Sequence, residues 1–128
     1  MMQLQGRSAL VTGAANGIGR AIALGLAEAG ADVAASDLDK ANVSTLKAEI
    51  EALGRKCLAI ETDVGDVAAI DAMVSETVEV FGKLDIIVNN AAVTHLPAPM
   101  ETVTESDLDR VFAVNCKSIY LISQSLVP

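Results

Sequence analysis

Residues 8–37 read SALVTGAANGIGRAIALGLAEAGADVAASD, and the placing of three glycines within this stretch decides the fold. Arg7 to Thr12 is a short, mostly apolar run that stops at Gly13, as a buried strand does. From Gly17 to Ala29, Ile18, Ile22 and Leu26 recur at helical spacing, and Gly30 stands where a helix would stop. Gly13, Gly17 and Gly19 therefore fall between a strand and a helix, and each solves a different problem there. Gly13 permits the sharp turn out of the strand, Gly17 lets an anion approach the backbone without meeting a Cβ, and Gly19 allows close packing of the new helix. Asn16 and Ile18 contribute backbone rather than charge, so the loop suits a pyrophosphate held by free N–H groups and the helix dipole. A lysine-bearing phosphate loop is excluded, because counting from Gly13 puts Ile18 and Gly19 where glycine and lysine are required. Turns and helix starts attract glycine for structural reasons as well, so the surrounding chain has to carry the assignment.

The same strand and helix alternation continues outward from this stretch. Asp32 to Ser36 reads as a second strand, followed by a helix with Val43, Leu46, Ile50 and Leu53 on one face and Gly54 at its end. A third strand over Cys57 to Glu61 precedes a helix carrying Val67, Ile70, Val74, Val78 and Phe81 on one stripe and closed by Gly82. Asp85 to Val88 is the fourth strand. Parallel strands need crossovers of one hand, so this order predicts an α/β fold with a doubly wound parallel sheet of four strands. The next stretch, NNAAVTHLPAPMETV over 89–103, is polar and proline-containing and should lie over the carboxyl edge of the sheet. Thr104 and Asp107 then signal the start of a last helix, with Leu108, Val111, Phe112, Ile119, Ile122 and Leu126 as its buried face and Pro128 at its end.

Hydrophobic residues make up 52% of the 128 and aromatics only 2%, so the core must come from aliphatic side chains, as in a parallel sheet buried on both faces. A formal net charge of −8 opposes nucleic acid and anionic membranes as partners. There is no basic, apolar leader, and no apolar run approaches the roughly 18 residues of a membrane span, which is the pattern of a cytoplasmic protein. Cys57 and Cys116 lack metal-ligand spacing and read as inert, buried thiols, and no metal site is expected.

Asp37 closes the second strand 18 residues beyond Gly19, near the spacing at which an acidic residue meets the ribose hydroxyls of an adenine dinucleotide. Such a carboxylate accepts from a free 2′-hydroxyl and repels a 2′-phosphate, and its neighbour Leu38 supplies no arginine, so NAD is favoured over NADP. The plainer alternative makes Asp37 a turn residue leading to Asp39 and the next helix.

Taken together, these residues resemble the short-chain dehydrogenase/reductase family, with its Rossmann-like fold, across the whole chain. The resemblance rests on Thr12 to Gly19, Asp37, Asp63 with Val64 after the third strand, Asn89 to Ala91 after the fourth, and Asn115 in the last helix. It implies that Asp63 approaches the adenine amino group with the Val64 backbone beside it, and that Asn89 and Ala91 line the adenosine ribose side. It further implies that Asn115 positions a water in a proton relay. Each position has a structural alternative: Asp63 as a loop residue before Asp66, Asn89 and Asn90 as closures of the fourth strand, Asn115 as an amide bonded to nearby backbone. Ala92 stands where the family usually has glycine. His95 is expected to face solvent, and Tyr120 to pack, since no lysine follows it four positions on.

The family's reaction moves a hydride between a nicotinamide and an alcohol or carbonyl carbon, using a tyrosine, a lysine and a serine. No Tyr-x-x-x-Lys occurs in these 128 residues. The chain therefore reads as a dinucleotide-binding domain over 1–128 that is incomplete at its C-terminus, from an oxidoreductase acting on a small alcohol or carbonyl compound. A non-catalytic NAD-sensing module and a protein that joins a separately encoded partner through the exposed fourth strand and last helix are the alternatives, and the resemblance also implies pairing of two copies through the last helix. A methyltransferase would use a similar loop but gives no reason for Asn89 to Ala91 or Asn115.

Overall fold

The computed structural model describes residues 2–93 and 97–126. The four expected strands form: β1 (Ser8–Thr12), β2 (Asp32–Asp37), β3 (Cys57–Glu61) and β4 (Ile86–Val88). Helices α1 (Gly17–Glu28), α2 (Lys40–Ala52) and α3 (Val67–Phe81) alternate with them, and α4 (Glu105–Phe112) and α5 (Ser118–Leu126) come after a short 3₁₀ turn. All strand pairs are parallel, in the order β3-β2-β1-β4. The chain thus moves outward from β1 to β3 and then returns to the other side of β1. That reversal opens a crevice at the carboxyl ends of the strands.

Alternation along the strands divides the core into two layers. Val11, Val33 and Ala35 face Ala23, Ala27, Val43, Leu46 and Ile50 of α1 and α2. Leu10, Ala34 and Ile60 face Ile70, Met73 and Val74 of α3, with Val114 and Ile122 beside them. Every residue of β1 is buried, as a central strand covered on both faces requires. At its start the Ser8 N–H donates to Asp85 Oδ2 at 2.9 Å and the Ser8 hydroxyl to the Lys83 carbonyl at 2.6 Å. These bonds fix β4 against β1 before the sheet pairing begins.

The helix faces differ from the expected ones. On α1 the buried positions are Gly19, Ala23 and Ala27, while Ile18 is 74% exposed and Ile22 and Leu26 pack only at the margin. Small residues let this helix lie close to the sheet, which large ones at the same contact would prevent. On α3, Met73 and Thr77 join Ile70 and Val74 inside, whereas Val67 and Val78 are exposed. Thr77 is tolerated there because its hydroxyl donates to the Met73 carbonyl at 2.8 Å.

The last helix begins at Thr104 with a complete capping box to Asp107. It is interrupted by one π-helical turn over Ala113–Lys117, which shifts the phase of α5 relative to α4. Val114, Ser118 and Ile122 become the buried line, and Leu108, Phe112, Ile119 and Tyr120 are exposed, Tyr120 at 68%. The expected packing of Tyr120 is therefore corrected, as is the expected buried face. Cys57 is buried as expected, but Cys116 is exposed on this helix. Burial pushes the Cys57 thiol up to about 12, with a smaller opposing pull from Lys47. His95 and Pro128 lie outside the described residues.

Candidate functional site

The glycine loop has the backbone its spacing implies. Gly13 and Gly17 have φ of 64° and 58°, the left-handed region that favours glycine. A Cβ on Gly13 would lie 2.9 Å from Ala91 Cα, whereas one on Gly17 would point into open space. Gly19 allows the close packing expected of it: a Cβ there would strike the Gly13 carbonyl and the Asn90 amide, just beyond the ends of β1 and β4. Asn16 is the N-cap of α1 but makes no side-chain cap, and the first turn holds no acidic residue. In α2, α3 and α4, by contrast, Asp39, Asp66 and Thr104 close the corresponding end. Asn16, Gly17 and Ile18 are exposed, so the start of α1 presents its N–H groups outward.

Thr12 works beneath the loop. Its buried hydroxyl accepts from the N–H groups of Asn90 and Ala91, both at 3.1 Å, and Asn90 Nδ2 donates to the Gly13 carbonyl at 3.1 Å. The ends of β1 and β4 are locked together where the crevice opens. Asn90 is thus the clamp, while Asn89 is exposed and stands outside the cleft.

The cleft has a volume of about 250 Å³. Gly13, Asp37, Leu38, Asp63, Val64 and Ala91, all anticipated from sequence, line it. Asp37 Oδ2 accepts from the Ala15 N–H and Oδ1 from the Asp39 N–H, each at 3.0 Å. The turn role and a ligand role coexist here, since each oxygen keeps a free lone pair. Asp63 Oδ1 accepts from the Gly65 N–H at 2.9 Å, and Arg110 Nη1 donates to both Asp63 oxygens at 2.9 and 3.0 Å. Burial alone would raise the Asp63 carboxyl, but the Gly65 N–H and the Arg110 guanidinium outweigh it and hold the group below the usual carboxylate range.

Ser36, Ala92, Val93, Arg110 and Val114 also line the cleft, and sequence reasoning missed them as site residues. Arg110 had no local signal, since its partner lies 47 residues away. Ala92 needs no special backbone: among the described residues every positive φ belongs to glycine. Asn115, in the π turn, accepts from the Val93 N–H at 2.8 Å and donates to the Val93 carbonyl at 2.7 Å. Its backbone-bonding alternative is realised, with one N–H and one lone pair to spare.

The sequence profile of the short chain dehydrogenases matches residues 7–128. The chain belongs to this family. The chain is 39% identical over 125 residues to a hydroxy(phenyl)methylsuccinyl-CoA dehydrogenase subunit of Thauera aromatica, covering 98% of the chain and 50% of that relative. A short chain dehydrogenase from Burkholderia cenocepacia, solved in complex with NADP, superposes with a TM-score of 0.92 at 42% identity, over 96% of this chain and 50% of that one. A 3-ketoacyl-(acyl-carrier-protein) reductase from Brucella melitensis, complexed with NADH, gives 0.89 at 38% identity, over 98% and 50%. The chain spans about half the length of the curated relatives it matches. Among its described residues no helix is long and apolar enough to cross a membrane.

Proposed function

We propose that residues 1–128 form the nicotinamide-dinucleotide-binding part of an oxidoreductase that transfers a hydride between the cofactor and an alcohol or carbonyl compound. The observation that carries this reading is the alignment of three anchor points along the strand ends. The uncapped start of α1 lies after β1, Asp37 ends β2 and Asp63 follows β3. Since the sheet order runs β1, β2, β3 toward that edge, pyrophosphate, ribose and base of one extended ligand fall on successive strands. The residues present fit such a group. Gly17 leaves open space where a phosphate would approach, and Ser36 Oγ, fully buried in the cleft wall, has no hydrogen-bond partner among the described residues.

In this assignment Thr12, Gly13 and Asn16 to Gly19 shape the pyrophosphate loop. Asp37 and Leu38 hold the adenosine ribose, Asp63 and Val64 the base, and Ala91 the adjoining wall, with Asn89 at its exposed edge. The bound nicotinamide supplies the hydride chemistry. Asn115 fixes Val93 and uses its spare N–H and lone pair to place a water of the proton relay. The tyrosine, lysine and serine of that relay are assigned outside these residues. Pairing of two copies uses the apolar side chains that α4 and α5 leave exposed.

The Asp37 carboxylate selects NAD over NADP by accepting the 2′-hydroxyl and repelling a 2′-phosphate. Titration calorimetry on the whole protein carrying this chain tests it. Wild type should bind NAD at least about tenfold more tightly, the effect of one charge-assisted hydrogen bond. Asp37→Ser combined with Leu38→Arg should reverse the order. Tighter NADP binding by wild type would overturn the preference, and binding of neither would overturn the cofactor assignment.

A further inference from the structure

Resting on the proposed cofactor reading, we propose that Arg110 is a positioning residue that presents Asp63 as an acceptor-only edge. The cleft thereby selects a base with a 6-amino donor over one with a 6-carbonyl. The selection follows from the lone pairs that Asp63 leaves open. A carboxylate offers about four acceptor sites, two on each oxygen. At Asp63 Oδ1 both are taken, by the Gly65 N–H and by Arg110 Nη1. Oδ2 receives Arg110 Nη1 alone, so one acceptor site is left, on a carboxylate that lines the cleft. An exocyclic amino group can donate to that site, whereas a carbonyl oxygen in the same place would face it without a proton between them.

Arg110 is built into this arrangement rather than resting near it. It comes from the last turn of α4, lies against Gly65 so closely that a Cβ there would strike its guanidinium, and itself lines the cleft. As a stability device the pair is weak, because both side chains are about two-fifths exposed, at 42% and 38%, and solvent screens such ion pairs. Its effect belongs to the ligand. By holding the carboxylate turned toward the cleft, Arg110 fixes which hydrogen-bond pattern the base must offer.

The test compares NAD with its hypoxanthine counterpart, which has a 6-carbonyl in place of the 6-amino group, by titration calorimetry on the whole protein carrying this chain. Wild type should prefer NAD by about ten- to hundredfold, as expected for a hydrogen bond to a charged group. A ratio near one overturns the proposal. Arg110→Gln should reduce the ratio to within about threefold, while Arg110→Lys should restore much of it, because only one nitrogen of Arg110 makes the contact. Equal loss of both dinucleotides, with the ratio preserved, would show a role in the fold alone and overturn the proposal; so would no change in either. Asp63→Asn gives an independent reading, since its amide can donate: the preference should move toward the hypoxanthine form, and an unchanged ratio counts against the assignment. A wild-type protein that binds neither dinucleotide removes the cofactor reading itself. One that binds both without discrimination removes only the role of Arg110.

Discussion

At the residue scale, two glycines of one loop do different work. Gly17 has positive φ and open space beyond it, so Gly17→Ala should cost only about 1–2 kcal/mol of stability, the price of a Cβ in left-handed backbone. Its methyl would nevertheless stand where a phosphate approaches, and dinucleotide affinity should fall by about a hundredfold or more, beyond what that strain explains. Gly19→Ala brings its Cβ onto the Gly13 carbonyl and the Asn90 amide, and should destabilise the protein by at least about 2–3 kcal/mol, as backbone overpacking does. Urea unfolding paired with cofactor titration separates the two. If Gly17→Ala loses stability and affinity in proportion, the anion role of Gly17 fails. The three glycines were legible in the sequence because each answers a local demand. The part of the Gly19 collision that involves Asn90 was not, since Asn90 is brought there by the pairing of β4 with β1.

At the element scale, the helix after Thr104 departs most from its sequence pattern. The spacing of Leu108, Phe112, Ile119 and Ile122 describes one regular face, but Leu108, Phe112 and Ile119 are exposed and the inward line is Val114, Ser118 and Ile122, with a π turn over Ala113–Lys117 between α4 and α5. That turn carries Asn115, whose amide grips both polar groups of the Val93 backbone. Asn115→Asp keeps the acceptor for the Val93 N–H but sets a carboxylate oxygen against the Val93 carbonyl. At neutral pH the variant should be less stable by about 2 kcal/mol, the scale of a hydrogen bond replaced by repulsion. The new carboxyl would have a raised folded pKa, so the deficit should shrink as acid protonates it. Unfolding midpoints at pH 7 and pH 5 check this, and an equal deficit at both would contradict it. Capping was more legible than packing: the Thr104 and Asp107 box forms as read, because a cap depends on four consecutive residues.

At the scale of the whole molecule, two carboxylates tie distant segments together and set the response to acid. The Ser8 N–H leads in holding the Asp85 carboxyl below its ordinary 3.8, with Lys83 and Arg7 adding to it, and Asp63 is lowered by Gly65 and Arg110 against the opposing effect of burial. A folded pKa below the unfolded one contributes stability that is present above about pH 4. It is lost as pH falls through the depressed folded values. Asp85→Asn should therefore lower stability at pH 7 and flatten the acid limb below pH 4; an unchanged limb would show that Asp85 does not contribute. Association is a second property at this scale. β4 is a half-buried edge strand, and Leu108, Phe112, Ile119 and Tyr120 are exposed together on the last two helices. Residues 1–128 expressed alone should self-associate in sedimentation experiments, and Phe112→Lys with Ile119→Lys should reduce that. A monodisperse monomer at micromolar concentration would contradict the expectation.

The sequence by itself determined the alternation of strands and helices, the parallel sheet, the loop at Gly13 to Gly19 and the acidic end of β2. These depend on periodicity, turn chemistry and short spacings, all of which act over a few residues. Only the tertiary structure decided that Arg110 meets Asp63, that Asn90 locks onto Gly13, that Gly19, Ala23 and Ala27 are the inward face of α1, and that Cys116 and Tyr120 face outward. The meetings join residues 47 and 77 positions apart, and they arise because β4 returns beside β1. Cys116 and Tyr120 face outward because the inward line of the last helix runs through Val114, Ser118 and Ile122, and both lie off it.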